Sequence, residues 1–222
     1  MIRTSLVALA LVTFTASGAL AAGDKTYTLS KNKTVTSVSQ PSVHYSPSAL
    51  PPKGGKVIFS NVGTLYPKGL YFCCYGDTIS GPSSVIGTPY AAALQFTPAA
   101  NAKVTEIDAG IGLADGTNAV VLSLYDDNGG VPGNLIATGT ATGLGAFGDC
   151  CTLATVKIKK ASVTAGTPYW VVASATGDSW DAWAFNSTDE TDVLTAAYSS
   201  DGGSTWSPGA AVPAMSFQVL GK

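Results

Sequence analysis

Arginine and histidine are almost missing from this chain of 222 residues, and charged residues of all kinds make up only 12%. Arg3 is the only arginine and His44 the only histidine. Without arginine, the chain lacks the planar fork that binds phosphates and carboxylates through two hydrogen bonds. Lysine does not compensate, because 12 basic residues stand against 14 acidic ones and the formal net charge is −2. The composition therefore argues against nucleic acid as a partner.

Residues suited to catalysis are equally few. His44 lies in a proline-rich stretch, where nothing would hold an imidazole against a serine or cysteine nucleophile. Glu106 lies in a strand pattern at the outward phase relative to Ile107, and Glu190 lies in the polar loop NSTDETD, so both are expected to be solvated surface carboxylates. The segment GLGAFG at 143–148 fits the spacing of a dinucleotide loop, but a strand pattern follows it instead of the required helix. We therefore expect a protein that is not an enzyme.

Long apolar runs are also lacking, except for one at the amino terminus. Arg3, the run LVALALVTF and the triplet Ala19-Leu20-Ala21 match the three parts of a secretory signal peptide, so residues 1–21 are predicted to be cleaved. Because no second run of spanning length follows, we expect no membrane span. The expected location is secreted or periplasmic.

The remaining chain divides into two parts. Residues 22–55 carry four prolines and little apolar periodicity, which predicts an extended arm or linker, although the Val- and Thr-rich piece 34–38 could add an edge strand. Residues 56–222 show short period-two patterns separated by turn signals. These patterns place Ile107, Leu122 and the trio Met215, Phe217 and Val219 on the apolar faces of their strands. These patterns predict an all-β domain, an antiparallel two-sheet sandwich of jelly-roll type.

Two turns carry recognisable residues. The first, DDNGGVPG at 126–133, clusters the oxygen ligands of Asp126, Asp127 and Asn128, which could bind calcium or serve only to form the turn. The second, SSDGGSTW at 199–206, matches the Asp-box pattern, in which an aspartate accepts backbone N–H groups inside a hairpin and a tryptophan packs beneath. We interpret the Asp-box as structural.

The four cysteines form two adjacent pairs, Cys73–Cys74 and Cys150–Cys151. Adjacent cysteines reach one zinc ion poorly, and an exported protein meets oxidising conditions, so disulfides are predicted. Neighbouring Cα atoms lie about 3.8 Å apart, closer than the roughly 4.4–6.8 Å of a relaxed disulfide. The bridges are therefore expected between the pairs, and both arrangements, 73–150 with 74–151 and 73–151 with 74–150, stay open.

All four tryptophans lie in the last quarter of the chain. Trp170 belongs to an apolar strand pattern and is expected in the core. Trp180 and Trp183 are three residues apart, so a strand would direct them to opposite faces. We expect one of these two to be buried and the other to be exposed, as a stacking surface for a sugar ring.

Several ordered segments resemble the bacterial choice-of-anchor R domain proteins: 75–98, 123–153, 165–188 and 198–206. The resemblance covers roughly residues 56–220 and implies an exported or surface-displayed β-sandwich, with no established activity and no catalytic residues. Relatives carry varied C-terminal sorting signals, whereas this sequence closes with FQVLGK, so free secretion or a periplasmic location is expected over anchoring.

Two functions are compatible with these observations. The first is a non-catalytic module that binds polysaccharide or another cell-surface polymer, with calcium as its one candidate cofactor. The second is a structural, matrix or spacer protein without a small-molecule ligand.

Overall fold

The computed structural model describes residues 13–15, 26–30, 33–37, 55–63, 71–72, 74–149, 152–186, 193–209 and 212–222. No residue within these ranges is helical, so none of them belongs to a helix able to cross a membrane. Strands are the regular elements here, and in chain order they are β1 Thr13–Thr15, β2 Thr26–Leu29, β3 Thr34–Ser37, β4 Lys56–Ser60, β5 Tyr75–Ser80, β6 Ala91–Phe96, β7 Ala102–Ala109, β8 Ile111–Asp115, β9 Ala119–Asp127, β10 Pro132–Thr142, β11 Ala154–Val163, β12 Tyr169–Ser174, β13 Trp180–Ala184, β14 Val193–Leu194, β15 Ala196–Ser199, β16 Ser207–Pro208, β17 Val212–Pro213 and β18 Phe217–Gly221.

These strands form three larger sheets and one two-stranded ribbon, β14-β17. The front sheet has the order β10-β9-β12-β6-β15-β16, the back sheet β11-β7-β18-β4, and the N-terminal sheet β1-β2-β3-β5-β13-β8. Every pairing between named strands is antiparallel. The predicted all-β antiparallel sandwich is therefore confirmed.

One apolar cluster joins the three sheets. Phe217 of the back sheet lies 6.3 Å from Phe96 of the front sheet and 6.1 Å from Trp183 of the N-terminal sheet, measured between ring centroids. Period-two alternation sends the same phase of each strand into this cluster, as the sequence predicted for Met215, Phe217 and Val219. The front sheet thus forms one layer, and the other two sheets together form the second.

The back and N-terminal sheets meet at Gly110, where the chain leaves β7 and enters β8. Gly110 N donates to Ser216 O and its carbonyl accepts from Ala184 N, so the backbone hydrogen bonds continue from one sheet into the other. A Cβ at this position would overlap Ser216 Oγ and press on the Tyr71 ring. Glycine is needed here because three segments approach one another too closely for a side chain.

Two pieces of the predicted arm are strands of the sandwich. A strand is present within 34–38 as β3, but it is not an edge strand, because β2 pairs with one side of it and β5 with the other. Tyr27 and Val35 are buried in an apolar cluster, so this part of 22–55 differs from the expected linker. β2 and β3 are only four residues long, and each has one buried apolar residue named here. Such short segments show no apolar periodicity in the sequence. Residues 13–15, inside the predicted signal peptide, pair with β2 as β1.

Candidate functional site

Trp180 and Trp183 do not form an exposed stacking surface. Both are 0% exposed, so the expectation that one of them faces solvent is wrong. The prediction that they point to opposite faces is confirmed, since Trp183 belongs to the central cluster and Trp180 to a second cluster behind the N-terminal sheet. Trp183 Nε1 donates to Ser216 O at 2.9 Å, which satisfies its polar group within the core.

The cover over Trp180 comes from segments distant in sequence. Tyr27 of β2 meets the Trp180 ring edge-on, with centroids 5.8 Å apart. Phe147 lies 6.0 Å from the Tyr27 ring, and the Tyr27 hydroxyl donates to Phe147 O at 3.0 Å. The glycine-rich loop 143–148 pairs with the β8 edge of the N-terminal sheet through Leu113, and its Phe147 side chain joins the cluster on the outer face. Alternation along β13 could not reveal this cover, because it predicts only which face a side chain points to.

The candidate calcium residues are used in the hairpin itself. Asp126 accepts hydrogen bonds from Asn134 N and Asn134 Nδ2, whereas Asp127 accepts from Trp170 Nε1, so the two carboxylates have different partners. Asn128 N donates to Val131 O and closes the turn. Among the described residues no group of three or more His, Cys, Asp or Glu side chains is arranged to hold a metal ion. Calcium binding stays a prediction.

A different aromatic surface lies on the outer face of the front sheet. Tyr125 of β9, Trp170 of β12 and Gln95 of β6 are directly opposite one another in register. Trp170 is 0% exposed, whereas Tyr125 and Gln95 are partly exposed. Asp127 Oδ1 accepts from Trp170 Nε1 at 2.8 Å and from Gln95 Nε2 at 2.9 Å. This network fixes the orientation of the Gln95 amide beside the aromatic rings.

Trp206 adds a second partly exposed ring to this surface. It packs against the cluster formed by Ala93, Trp170, Val172 and Ala197, which Tyr125 also contacts. We call Tyr125, Trp206, Gln95 and Asp127, with Trp170 beneath, the aromatic face. Rigid strands supply most of it, and such elements position binding groups more accurately than loops do.

The Asp-box positions Trp206. Asp201 accepts hydrogen bonds from Thr205 N at 2.9 Å and from the Ser199 hydroxyl at 2.6 Å, and Ser199 Oγ also accepts from Gly203 N. These bonds hold the pKa of the Asp201 carboxyl well below its usual range, with the Ser199 hydroxyl as the largest cause. The predicted hairpin with an acceptor aspartate is confirmed, and Trp206 lies within it, directly before β16.

The sequence does indicate two residues of the aromatic face, although the spacing of Trp180 and Trp183 pointed to a different surface. The pattern NAVVLSLYD places Val120, Leu122 and Leu124 on the buried side, so Tyr125 has the outward phase. Gln95 has the outward phase of AAALQF in the same way. What the sequence could not show is that strands β9, β12 and β6 are neighbours.

Two acidic side chains are buried on the core side of the N-terminal sheet. Asp181 is 0% exposed, and desolvation raises its pKa to about 8 against the opposing effect of the Ser179 hydroxyl, which donates to Oδ2. Asp77 accepts from the Tyr198 hydroxyl at 3.0 Å, and burial raises its pKa to about 6, opposed by that bond and by Lys33. Such shifts are common at catalytic sites, but these carboxyls lie among core side chains, so we interpret both as structural.

Asp181 makes the stability depend on pH. The folded state holds this proton more tightly than the unfolded chain, so its stabilising effect is complete below pH 4 and is lost as pH rises toward 8. Asp77 acts in the same direction, but only up to about pH 6. We therefore expect the free energy of unfolding to fall between pH 6 and pH 8, and Asp181→Asn to remove most of that fall.

Urea unfolding at pH 5, 6, 7 and 8 measures this effect, with Asp77→Asn as the matched control that keeps the fall between pH 6 and 8. An equal slope in wild type and Asp181→Asn over that interval would show that Asp181 does not hold its proton.

Glu106 differs from the solvated carboxylate that its outward phase predicted. It is 5% exposed, and Lys157 on the neighbouring strand β11 donates to its Oε2. Asp108, two residues along the same face, is also buried and accepts from Thr155 Oγ1 and Gln218 Nε2. Long polar neighbours on adjacent strands cover these carboxylates, and the sheet register, which the sequence does not specify, brings them together. Glu190 lies outside the described residues.

Three of the four cysteines, Cys73, Cys150 and Cys151, lie outside the described residues. Their neighbours lie side by side. The Tyr71 hydroxyl donates to Thr152 O at 2.7 Å and accepts from Thr152 N, and Cys74 Sγ lies 4.0 Å from Gly148 O. The chain segments that flank the two pairs are thus in contact.

Comparison of the sequence with models of known protein families gave no match, and comparison with curated proteins gave none either. The resemblance to choice-of-anchor R domains therefore stays a prediction. The geometry of the β-sandwich and of its aromatic face carries the functional argument.

Proposed function

We propose that the chain is an exported, non-catalytic β-sandwich module that binds polysaccharide through the aromatic face. The observation that carries the proposal is the pair of partly exposed rings, Tyr125 and Trp206, on the outer side of a sheet whose inner side forms the core. An aromatic ring presents an apolar surface to the C–H groups of a sugar ring, and the phenolic hydroxyl keeps a polar end in water.

Hydrogen-bonding groups adjoin these rings. Gln95 and Asp127 have polar atoms beside the buried Trp170, and their mutual bond orients them before any ligand arrives. A preoriented site loses little side-chain entropy on binding. Sugars combine apolar ring faces with hydroxyl groups, so an aromatic surface bordered by an amide and a carboxylate matches their chemistry.

Substitution of the two rings tests the proposal. We expect Tyr125→Ala and Trp206→Ala each to weaken binding to the recognised polysaccharide about tenfold, which corresponds to roughly 1.4 kcal/mol. A glycan array identifies the polymer, and isothermal titration calorimetry measures the affinity. Tyr75→Ala is the matched control, because Tyr75 is 50% exposed on the N-terminal sheet, away from the aromatic face.

Trp206→Phe keeps an aromatic ring at this position and should therefore retain more binding than Trp206→Ala. This variant separates loss of the stacking ring from disruption of the hairpin. Failure of the wild-type protein to bind any glycan or cell-wall fraction would contradict the proposal and favour the structural or spacer protein. Equal affinities of the wild type and both alanine variants would show that the polymer binds elsewhere.

A further inference from the structure

A groove of about 660 Å³ opens where the edge strands of the front and back sheets face each other. Residues 136–138 of β10 form one wall, and Lys157, Lys159, Ala161 and Ser162 of β11 form the other. We call it the lysine groove. It lies on the seam between the two layers of the sandwich, where each sheet ends in an edge strand.

Both strands depart from regular pairing at this groove. The register of β11 against β7 shifts between Lys157 and Ala161, and the register of β10 against β9 shifts between Leu135 and Ala137. Bulges of this kind redirect side chains and are frequent beside binding sites. The groove thus lies where both edge strands, β10 and β11, have irregular register.

The groove ends where the edges come together. At Gly139 the two strands approach so closely that a Cβ would overlap Val156 Cγ1. Only glycine permits this approach. This close approach lies one residue beyond Thr138, the last residue of β10 that lines the groove.

The groove carries positive charge in a chain whose net charge is negative. The sequence KIKK at 157–160 places three lysines within four residues. Lys157 and Lys159 are both exposed and both line the groove. Lys157 donates to the buried Glu106, whereas no ion pair of Lys159 is seen in the described part of the chain. Lys159 is therefore the cation best placed to meet an anionic group in the groove.

A continuous row of residues links the groove to the aromatic face. Thr138, which lines the groove, is opposite Ser123 of β9, and their hydroxyls lie 2.8 Å apart. The same row continues across the front sheet through Val172, Ala93 and Ala197, beside which Trp206 packs. Four strand spacings of about 4.8 Å give a path of roughly 19 Å.

We infer that the lysine groove binds the acidic groups of an anionic polysaccharide whose sugar rings stack on the aromatic face. Lys159 Nζ donates charge-assisted hydrogen bonds to carboxylate or sulfate oxygens of the polymer. Ile136 supplies an apolar wall, and the hydroxyls of Thr138 and Ser162 can pair with sugar hydroxyls. That the ligand is a polysaccharide rests on the proposed function; that it is anionic rests on the groove.

Lys159→Gln tests the inference, because it removes the charge and keeps a similar length. We expect this variant to bind polygalacturonate, a carboxylated polymer, about tenfold more weakly than wild type at low salt, with unchanged affinity for a neutral soluble glucan. The difference should shrink as salt screens the charge. Lys56→Gln is the control, since Lys56 is an exposed lysine of β4, at the opposite edge of the back sheet from β11. Dextran sulfate in place of polygalacturonate distinguishes sulfate from carboxylate recognition.

The outcomes separate this inference from the proposed function. Neutral glucan binding without polygalacturonate or dextran sulfate binding overturns the groove and leaves the aromatic face standing. Equal anionic-polymer affinities of Lys159→Gln and Lys56→Gln would do the same. A loss of anionic binding in Lys159→Gln alone, with Tyr125→Ala unaffected, supports the groove and overturns the aromatic face. Binding of none of these polymers by the wild-type protein contradicts both.

Discussion

Trp183→Ala will lower the free energy of unfolding by about 3–5 kcal/mol, the usual effect of truncating a buried aromatic residue. The Trp183 ring is 0% exposed, packs edge-on against Phe217 and uses its Nε1 to bond Ser216 O. Alanine would leave a cavity at the junction of the N-terminal and back sheets and an unpaired backbone carbonyl. Urea unfolding monitored by circular dichroism measures the change.

Two further variants make this result specific. Trp183→Phe keeps most of the ring and should lose less than the alanine variant, while Phe72→Ala, at a side chain 49% exposed, should cost under about 1 kcal/mol. A loss as small for Trp183→Ala as for Phe72→Ala would show that Trp183 is not in the core. It would also restore Trp183 as a candidate for stacking on a ligand.

Reduction of the cysteines should have an effect of similar size. We propose that two disulfides join the pair Cys73–Cys74 to the pair Cys150–Cys151. The first bridge closes a loop of about 77 residues, for which chain entropy predicts roughly 4–5 kcal/mol of stabilisation. The second adds much less, because the loop is already closed. We expect unfolding in reducing buffer to begin at a correspondingly lower urea concentration.

The contacts around the pairs support bridges between them. Tyr71 bonds the backbone of Thr152 from both its hydroxyl proton and its oxygen, and Cys74 lies beside Gly148. Proteolysis without reductant, followed by mass spectrometry, tests the pairing. The peptides that contain the two pairs should stay joined until reductant is added, and their separation without it would refute the proposal. Fragmentation of the joined peptide chooses between the two arrangements left open by the sequence.

The sequence alone determined the class of fold. Alternation at period two marks the buried phase of several strands, and it placed Ile107, Leu122 and Phe217 in the core correctly. Turn chemistry did the same for the Asp-box, because its hydrogen bonds join residues only two to four positions apart. Both features depend only on residues close together along the chain, so they can be predicted from the sequence.

Only the tertiary structure decided what lies over each outer face. One of Trp180 and Trp183 was expected to be exposed, as was Glu106, yet Tyr27 and Phe147 share a buried cluster with Trp180, and Lys157 pairs with Glu106. Tyr125 likewise has the outward phase of its strand, and there the side chain is partly exposed. A strand's periodicity specifies the direction of a side chain, whereas the exposure of that side chain depends on segments distant in sequence, such as β2, whose Tyr27 packs against Trp180 from 153 positions away. The aromatic face and the lysine groove exist for the same reason, because sheet order and register bring their residues together.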